Sequence, residues 1–300
     1  MLGTDFNFGI IQTSARPLLC LEVNPPRGVD VGHIFSRLDG KLSGVSFLNV
    51  TDSALARMRL SALPFGSLIK SRFGIEALVN LSCRDRNLLA LQADLLGGWA
   101  LGVRSVVALT GDAMTIGDTP ERKGVFEVNS VGLLHTISTL NSGKDLAGHE
   151  LKGKTDYFPG VVVNPNVRNP AAELKRLRRK AESGARYALS QPIFDGPAAI
   201  SFLKEARQIG VPIFVGLLAL KTGTAALAIS RVPGLHLPEA MLAQMEAAGD
   251  SDVSSFFIDH CLKLAEECRP YVCGYHVVSG ATPLLALQLL RELARYVETL

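Results

Sequence analysis

Eight short apolar runs recur along the chain, each followed by a stretch with helical spacing. That alternation constrains the fold more than any other feature. The runs are LLCLEV (18–23), GVSFLNV (44–50), EALVNLSC (76–83), SVVALTG (105–111), YFPGVVVN (157–164), RYALSQPIF (186–194), VPIFVGLLAL (211–220) and VCGYHVVSG (272–280). Their hydrophobicity is continuous, as expected of parallel strands buried on both faces. Strands that alternate with helices form βαβ units, and eight such units close into a barrel more readily than they extend an open sheet. The expected architecture is therefore α/β: a single (β/α)8 TIM barrel over residues 1–300, with an additional C-terminal helix at 282–300.

The intervening helices can be read from their stripes. Leu88, Leu89, Leu91, Leu95 and Leu96 fall at roughly helical spacing within 85–102. Leu174, Leu177 and Ala181 form a stripe in 169–184, surrounded by Lys175, Arg176, Arg178, Arg179 and Lys180. Further helices are expected at 196–210 and 254–270, and the segments 112–128 and 144–156 read as loops.

Composition narrows the function classes. With 31 Lys+Arg against 28 Asp+Glu the net charge is +3, and no clustered basic face accompanies it, so a nucleic-acid partner is not expected. No run of about 18 uncharged apolar residues occurs, so neither is a membrane span. The opening MLGTDFNFGI lacks the pattern of a secretory leader, which makes a cytoplasmic location the expectation. Five cysteines at irregular spacing, Cys20, Cys83, Cys261, Cys268 and Cys273, fit reduced thiols better than a disulfide framework, and no spacing suggests a metal site.

In such a barrel the C-terminal strand ends converge on one rim, where active sites sit. The polar residues there are Glu22; Asn49 and Thr51; Asn80 and Ser82; Thr110 and Asp112; Asn164; Ser190 and Gln191; and His276 and Ser279. Glu22 stands out. A carboxylate within a buried strand is costly unless paired or protonated, and burial raises its pKa toward that of a general acid. The alternative is a structural partner for a buried cation. Asp112 follows Gly111, which would let the backbone approach a flat ligand, but a turn or N-cap aspartate reads equally well. The Gln191 amide can meet the donor and acceptor edges of a heterocycle or satisfy loop backbone. Lys180 lies toward the inner side of a basic helix whose other charges read as a solvated face. His276 reads as a proton carrier or a hydrogen-bonded core histidine. No GxGxxG follows a strand, so a Rossmann domain is unsupported.

Taken in order, LEVNPPRG, SFLNVTD, LVNLSCRDRN, VVALTGD, ELKRLRRKAESGARYALSQPIFD and VPIFVGLLAL resemble the methylenetetrahydrofolate reductase family, over nearly the whole chain. The stretch GDAMTIGDTPERKGVFEVNS resembles its branch in bacteria with one-carbon or methyl-group metabolism. The resemblance implies a flavin-containing barrel that passes hydride from NADH or NADPH to 5,10-methylenetetrahydrofolate, with FAD, or FMN, as cofactor and tetrahydrofolate as the partner molecule. A general acid would open the five-membered folate ring to an iminium. On matching positions, Glu22 corresponds to the general acid, Asp112 to the carboxylate near flavin and pterin, and Gln191 to an amide contacting folate or nicotinamide. Thr51, Asn80, Thr110, Gly111, Asp112, Asn164, Arg168, Glu173, Arg176 and Lys180 fall at flavin-contacting positions. A homo-oligomer, or association with a partner subunit, is also expected. The chain departs from many relatives at Asn24, Asn80 and Thr110. Val161–Val163 also replace smaller residues, which implies a narrower flavin site. A flavin-free barrel that binds tetrahydrofolate for methyl transfer is the competing reading, and a non-catalytic partner subunit a third.

Overall fold

The computed structural model describes residues 6–232, 234–248 and 253–300. Its eight strands are β1 (Leu18–Val23), β2 (Phe47–Val50), β3 (Glu76–Ser82), β4 (Ser105–Leu109), β5 (Gly160–Val163), β6 (Tyr187–Pro192), β7 (Ile213–Leu217) and β8 (Gly274–Val277). Every neighbouring pair is parallel and β8 returns to β1, so the sheet closes in sequence order. Each strand lies within one of the eight apolar runs.

A short helix, α1 (Ile10–Thr13), precedes β1. Crossovers then follow each strand: α2 (Gly32–Leu38), α3 (Ala62–Phe73), α4 (Leu88–Ala100), α5 (Ser130–Asn141), α6 (Pro170–Glu182) and α7 (Gly196–Arg207). After β7 come α8 (Gly223–Ser230), α9 (Glu239–Ala248) and α10 (Val253–Cys268), and after β8 comes α11 (Pro283–Glu298). The expected C-terminal helix is thus α11, which packs on β1 and β8 and completes the ring. The surplus helices, α8 and α9, lie in the β7 connection, where sequence patterning did not separate them. In α4 the inward stripe is Leu91 and Leu95, while Leu89 and Leu96 face solvent.

Alternation along the strands divides the core in two. Outward residues such as Leu19, Leu48, Val79 and Val215 pack beneath the helices. Inward residues fill the barrel itself: Leu18, Cys20, Phe47, Leu78, Val107, Tyr187, Leu189 and Phe214. Phe8 and Ile11, from the segment around α1, join this inner cluster. Phe8 stacks on Phe47 and Phe158 at the N-terminal ends of the strands. Aromatic packing therefore stops that end, and among the described residues the barrel interior opens at the C-terminal end. All five cysteines are free thiols. No helix among the described residues is long and apolar enough to cross a membrane, and no cluster of metal-ligating side chains occurs among them.

Candidate functional site

Above the inner cluster the strand ends enclose a cavity of about 450 Å³. Its floor continues the inward alternation one layer higher, through Glu22, Asn49, Asn80, Leu109, Val162, Leu189 and His276. A second cavity of about 380 Å³ adjoins it between β5 and α6. The two share Thr110, Ser130, Val162, Lys180 and Gln191.

Glu22 sits in a hydrogen-bonded clamp. The Ser279 hydroxyl donates to Oε1 at 3.0 Å, and the backbone amides of Ser279 and Gly280 at 3.2 and 3.3 Å. Asn24 donates to Ser279 Oγ at 3.1 Å and accepts from Thr51 Oγ1 at 2.7 Å, tying β1, β2 and the β8 loop together. Burial pushes the Glu22 pKa up, and the surrounding donors reverse only part of that shift. No cation pairs with it among the described residues, so the structural-partner reading finds no support. All three clamping bonds fall on Oε1.

Asp112 lines the cavity rim, but its visible task is mechanical. Its Oδ2 accepts from Leu55 N at 2.7 Å. Leu55 belongs to a strap after β2 in which Ser53, Leu55 and Ala56 adopt positive φ (46°, 56° and 53°). Left-handed backbone at non-glycine residues costs roughly 1–2 kcal/mol each and persists only where surroundings impose it. The strap, which covers one side of the cavity through Ala54 and Leu55, is imposed by Asp112 and by Asp118, whose backbone amide donates to Ala56 O at 3.2 Å. Gly111 has φ +99°, and a Cβ there would run into Ser82 Oγ and Arg84. The strand end itself demands glycine, whatever the cavity holds.

Gln191 reaches both cavities because β6 is bulged. The register against β7 shifts between Leu189 and Pro192, and Ser190 Oγ accepts the Gly216 amide at 2.8 Å. A bulge re-aims a side chain in this way. A Cβ on Gly216 would strike the Gln191 backbone, so glycine is what allows the bulge.

The basic run on α6 divides by helical phase. Arg176, Arg179 and Lys180 line the second cavity, while Lys175 and Arg178 face solvent. Lys180 Nζ donates to Val162 O at 2.7 Å, and burial pulls its pKa down. Glu173 is buried, pairs with Arg176 at 2.6 Å and accepts the Asn164 amide at 3.1 Å. Asn80 accepts from Asn49 at 2.8 Å, and Thr110 accepts the Ser130 amide at 3.2 Å. Arg168 is not brought in: it is exposed in the turn before α6 and lines neither cavity. Of the three valines, Val162 lines both cavities and Val163 borders the second, while Val161 packs outward under the helices, so any narrowing falls on the β5 wall of the second cavity and on the junction between the two.

His276 departs from the reading of a hydrogen-bonded core histidine. It is buried in the floor with neither ring nitrogen hydrogen-bonded in the structure, and burial lowers its pKa to about 4. It is neither a satisfied core histidine nor charged near neutral pH. Sequence reasoning also missed the rim's buried ion pair. Asp52 accepts from Arg86 at 2.6 Å and from the Ser82 amide at 2.9 Å. An aspartate two residues after a strand that ends in Asn-Val was the available signal.

The two joined cavities suit an elongated ligand with a planar head over the barrel floor and an anionic tail beside Arg176, Arg179 and Lys180. The residues present thus fit a flavin nucleotide, with Val162 at the waist.

The methylenetetrahydrofolate reductase family model matches residues 9–279. The 5,10-methylenetetrahydrofolate reductase of Salmonella typhimurium is 24% identical over 253 residues, covering 83% of this chain and 80% of that protein. Methylenetetrahydrofolate reductase (NADH) 1 of Arabidopsis thaliana is 23% identical, covering 81% of this chain but 42% of that longer protein. Among solved structures, an uncharacterized protein from Clostridium thermocellum that binds two copies of 5-methyl-5,6,7,8-tetrahydrofolic acid superposes with a TM-score of 0.69 at 14% identity, covering 96% of this chain and 98% of that one. With the family model spanning all eight strands, the chain belongs to the methylenetetrahydrofolate reductase family.

Proposed function

We propose that this protein reduces 5,10-methylenetetrahydrofolate to 5-methyltetrahydrofolate at the expense of a reduced nicotinamide, with Glu22 as the proton donor. The observation that carries this reading is Glu22 itself: a carboxyl held in the cavity floor without a cation, with a pKa raised by burial.

Protonated Glu22 gives its proton to the folate nitrogen that leaves the one-carbon bridge. That carbon–nitrogen bond breaks, its electron pair staying with the protonated nitrogen, and the bridge carbon becomes an iminium. Hydride addition to this carbon completes the methyl group, and the nicotinamide is oxidised. One proton and one hydride are consumed, as the conversion requires. The Ser279–Asn24–Thr51 network fixes the carboxyl, and Gln191, aimed inward by the bulge, presents an amide to the heterocycle from the opposite wall. Asp112 holds the strap that shields the cavity from water on the β2 side. Thr110, Asn164, Arg176 and Lys180 would hold FAD in the second cavity, with Arg179 at its anionic end. When bound, FAD supplies the hydride relay between nicotinamide and folate.

The test is nicotinamide oxidation by purified protein that depends on 5,10-methylenetetrahydrofolate, with and without added FAD. Oxidation that requires the folate supports the reading, and none under either condition refutes it. Val162 at the waist favours one second reading, a flavin-free barrel that binds methyltetrahydrofolate. Tight binding of 5-methyltetrahydrofolate to protein that takes up no FAD and oxidises no nicotinamide would establish it.

A further inference from the structure

On the outer flank of Glu22 lies another hollow, of about 350 Å³, bounded by β1, α2 and the start of α11. Its apolar wall is Pro25, Pro26, Ile34 and Leu38. Two arginines enter it: Arg37 from the last turn of α2, and Arg59 from the segment between the β2 strap and α3. Both are half-buried, and neither side chain forms an ion pair or a hydrogen bond among the described residues. Three other arginines near this rim are paired, Arg27 with Asp118, Arg84 with Asp85, and Arg86 with Asp52 and Asp94, while Arg57, in the same segment as Arg59, is exposed to solvent.

Two further features leave the hollow electropositive. Glu22 is the only acidic residue in the lining, and its Oε1 is already engaged by Ser279 and Gly280. The N-terminus of α11 opens at the edge through Pro283, and its N-cap, Thr282, provides no side-chain acceptor for the first-turn amides. A guanidinium that has lost part of its hydration gains most from a carboxylate or phosphate, which it can grip through two parallel hydrogen bonds. A helix N-terminus adds partial positive charge to the same place.

The geometry points to a small-anion subsite in this hollow, formed by Arg37 and Arg59 and taking a carboxylate- or phosphate-bearing group outside the reacting cavity. Glu22 and Gly280 line both spaces, so the two are separated by one wall. Two sources could supply the anion: the acidic glutamate tail of a folate lying in the main cavity, or a free small polycarboxylate. The first source rests on the reading proposed above; the second does not.

Isothermal titration calorimetry on the full chain separates them. The probes are 5-methyltetrahydrofolate carrying one glutamate, the same compound carrying three, and citrate. The proteins are wild type, the pair Arg37→Gln/Arg59→Gln, and the charge-retaining pair Arg37→Lys/Arg59→Lys, which guards against a fold defect in the glutamine pair. A tail subsite gives wild type roughly tenfold tighter binding of the triglutamate than of the monoglutamate, lost in the glutamine pair and partly kept in the lysine pair. A free-anion subsite gives citrate binding that weakens about tenfold or more in the glutamine pair and does not compete with the monoglutamate. If wild type neither distinguishes the two folates nor binds citrate, or if the glutamine pair keeps both properties, the subsite is overturned. Arginine-dependent citrate binding without any folate binding would sustain the subsite and sink the folate reading. Equal folate binding in all three proteins, with none of citrate, would do the reverse.

Discussion

The two sides of the cavity are built differently. On the β1–β2–β8 side, Glu22, Asn24, Thr51 and Ser279 are knitted into one network in which every named group has a partner in the protein. On the β5–β6–α6 side, Gln191 is exposed, Arg179 lines open space, and Lys180 is bound only to a strand carbonyl. A prebuilt network holds one group in a fixed geometry, which proton transfer requires. Cations and amides left open gain their partners when a ligand arrives. The contrast separates a chemical half from a binding half, and substitutions in the two halves should therefore fail in different ways.

The sharpest break is Glu22→Gln. It should lower turnover by about 10²–10⁴-fold, the usual worth of a positioned acid, while the Kd for 5-methyltetrahydrofolate stays within roughly threefold. Steady-state kinetics beside calorimetry checks this. Parallel losses in rate and affinity would mean that Glu22 belongs to the binding half.

The next effect concerns His276, which lies in the floor between the halves. Its pKa is lowered from 6.5 to about 4, so the unfolded chain takes up a proton before the folded protein does. Stability is then fully present above pH 6.5 and is lost as pH falls toward 4, by up to about 3 kcal/mol. Urea melts across that range should show the loss in wild type and not in His276→Leu. At neutral pH the leucine variant should be at least as stable, since it removes two buried polar atoms without partners. A parallel acid loss in both proteins would place the dependence elsewhere.

A smaller effect probes the binding half. FAD at about a hundred times its Kd should stabilise wild type by roughly 2.7 kcal/mol, read as a rise in Tm. Lys180→Met should melt close to wild type without ligand but lose most of that rise. A Tm indifferent to both FAD and FMN, in protein isolated colourless, would remove flavin from the account and leave the methyltetrahydrofolate-binding reading.

Much of this contrast was legible in the sequence. Strand periodicity located all eight strands, and the barrel rule then brought Glu22, Asp112 and Gln191 to one rim. What stayed hidden were properties of three-dimensional neighbours. No local pattern says that Asp112 bonds the Leu55 amide across 57 positions, or that Ser279 reaches Glu22 across 257. A basic run shows charge but not phase, so Arg176, Arg179 and Lys180 separated from Lys175 and Arg178 only once α6 was docked. Arg168 matched a family position in sequence yet is exposed in a turn and lines neither cavity. The missing partners of Arg37, Arg59 and His276 are facts about surroundings, which a linear reading does not contain.

Under the proposed mechanism a protonated Glu22, tuned by its clamp, is the proton donor, and the pH dependence of kcat/KM in wild type and Ser279→Ala tests this. A general acid works only while protonated, so activity should fall as pH rises through the raised pKa of Glu22. The Ser279 hydroxyl favours the ionised carboxylate, so its removal should move that alkaline limb to higher pH. Identical limbs in the two proteins, or activity that rises with pH through this range, would contradict the account.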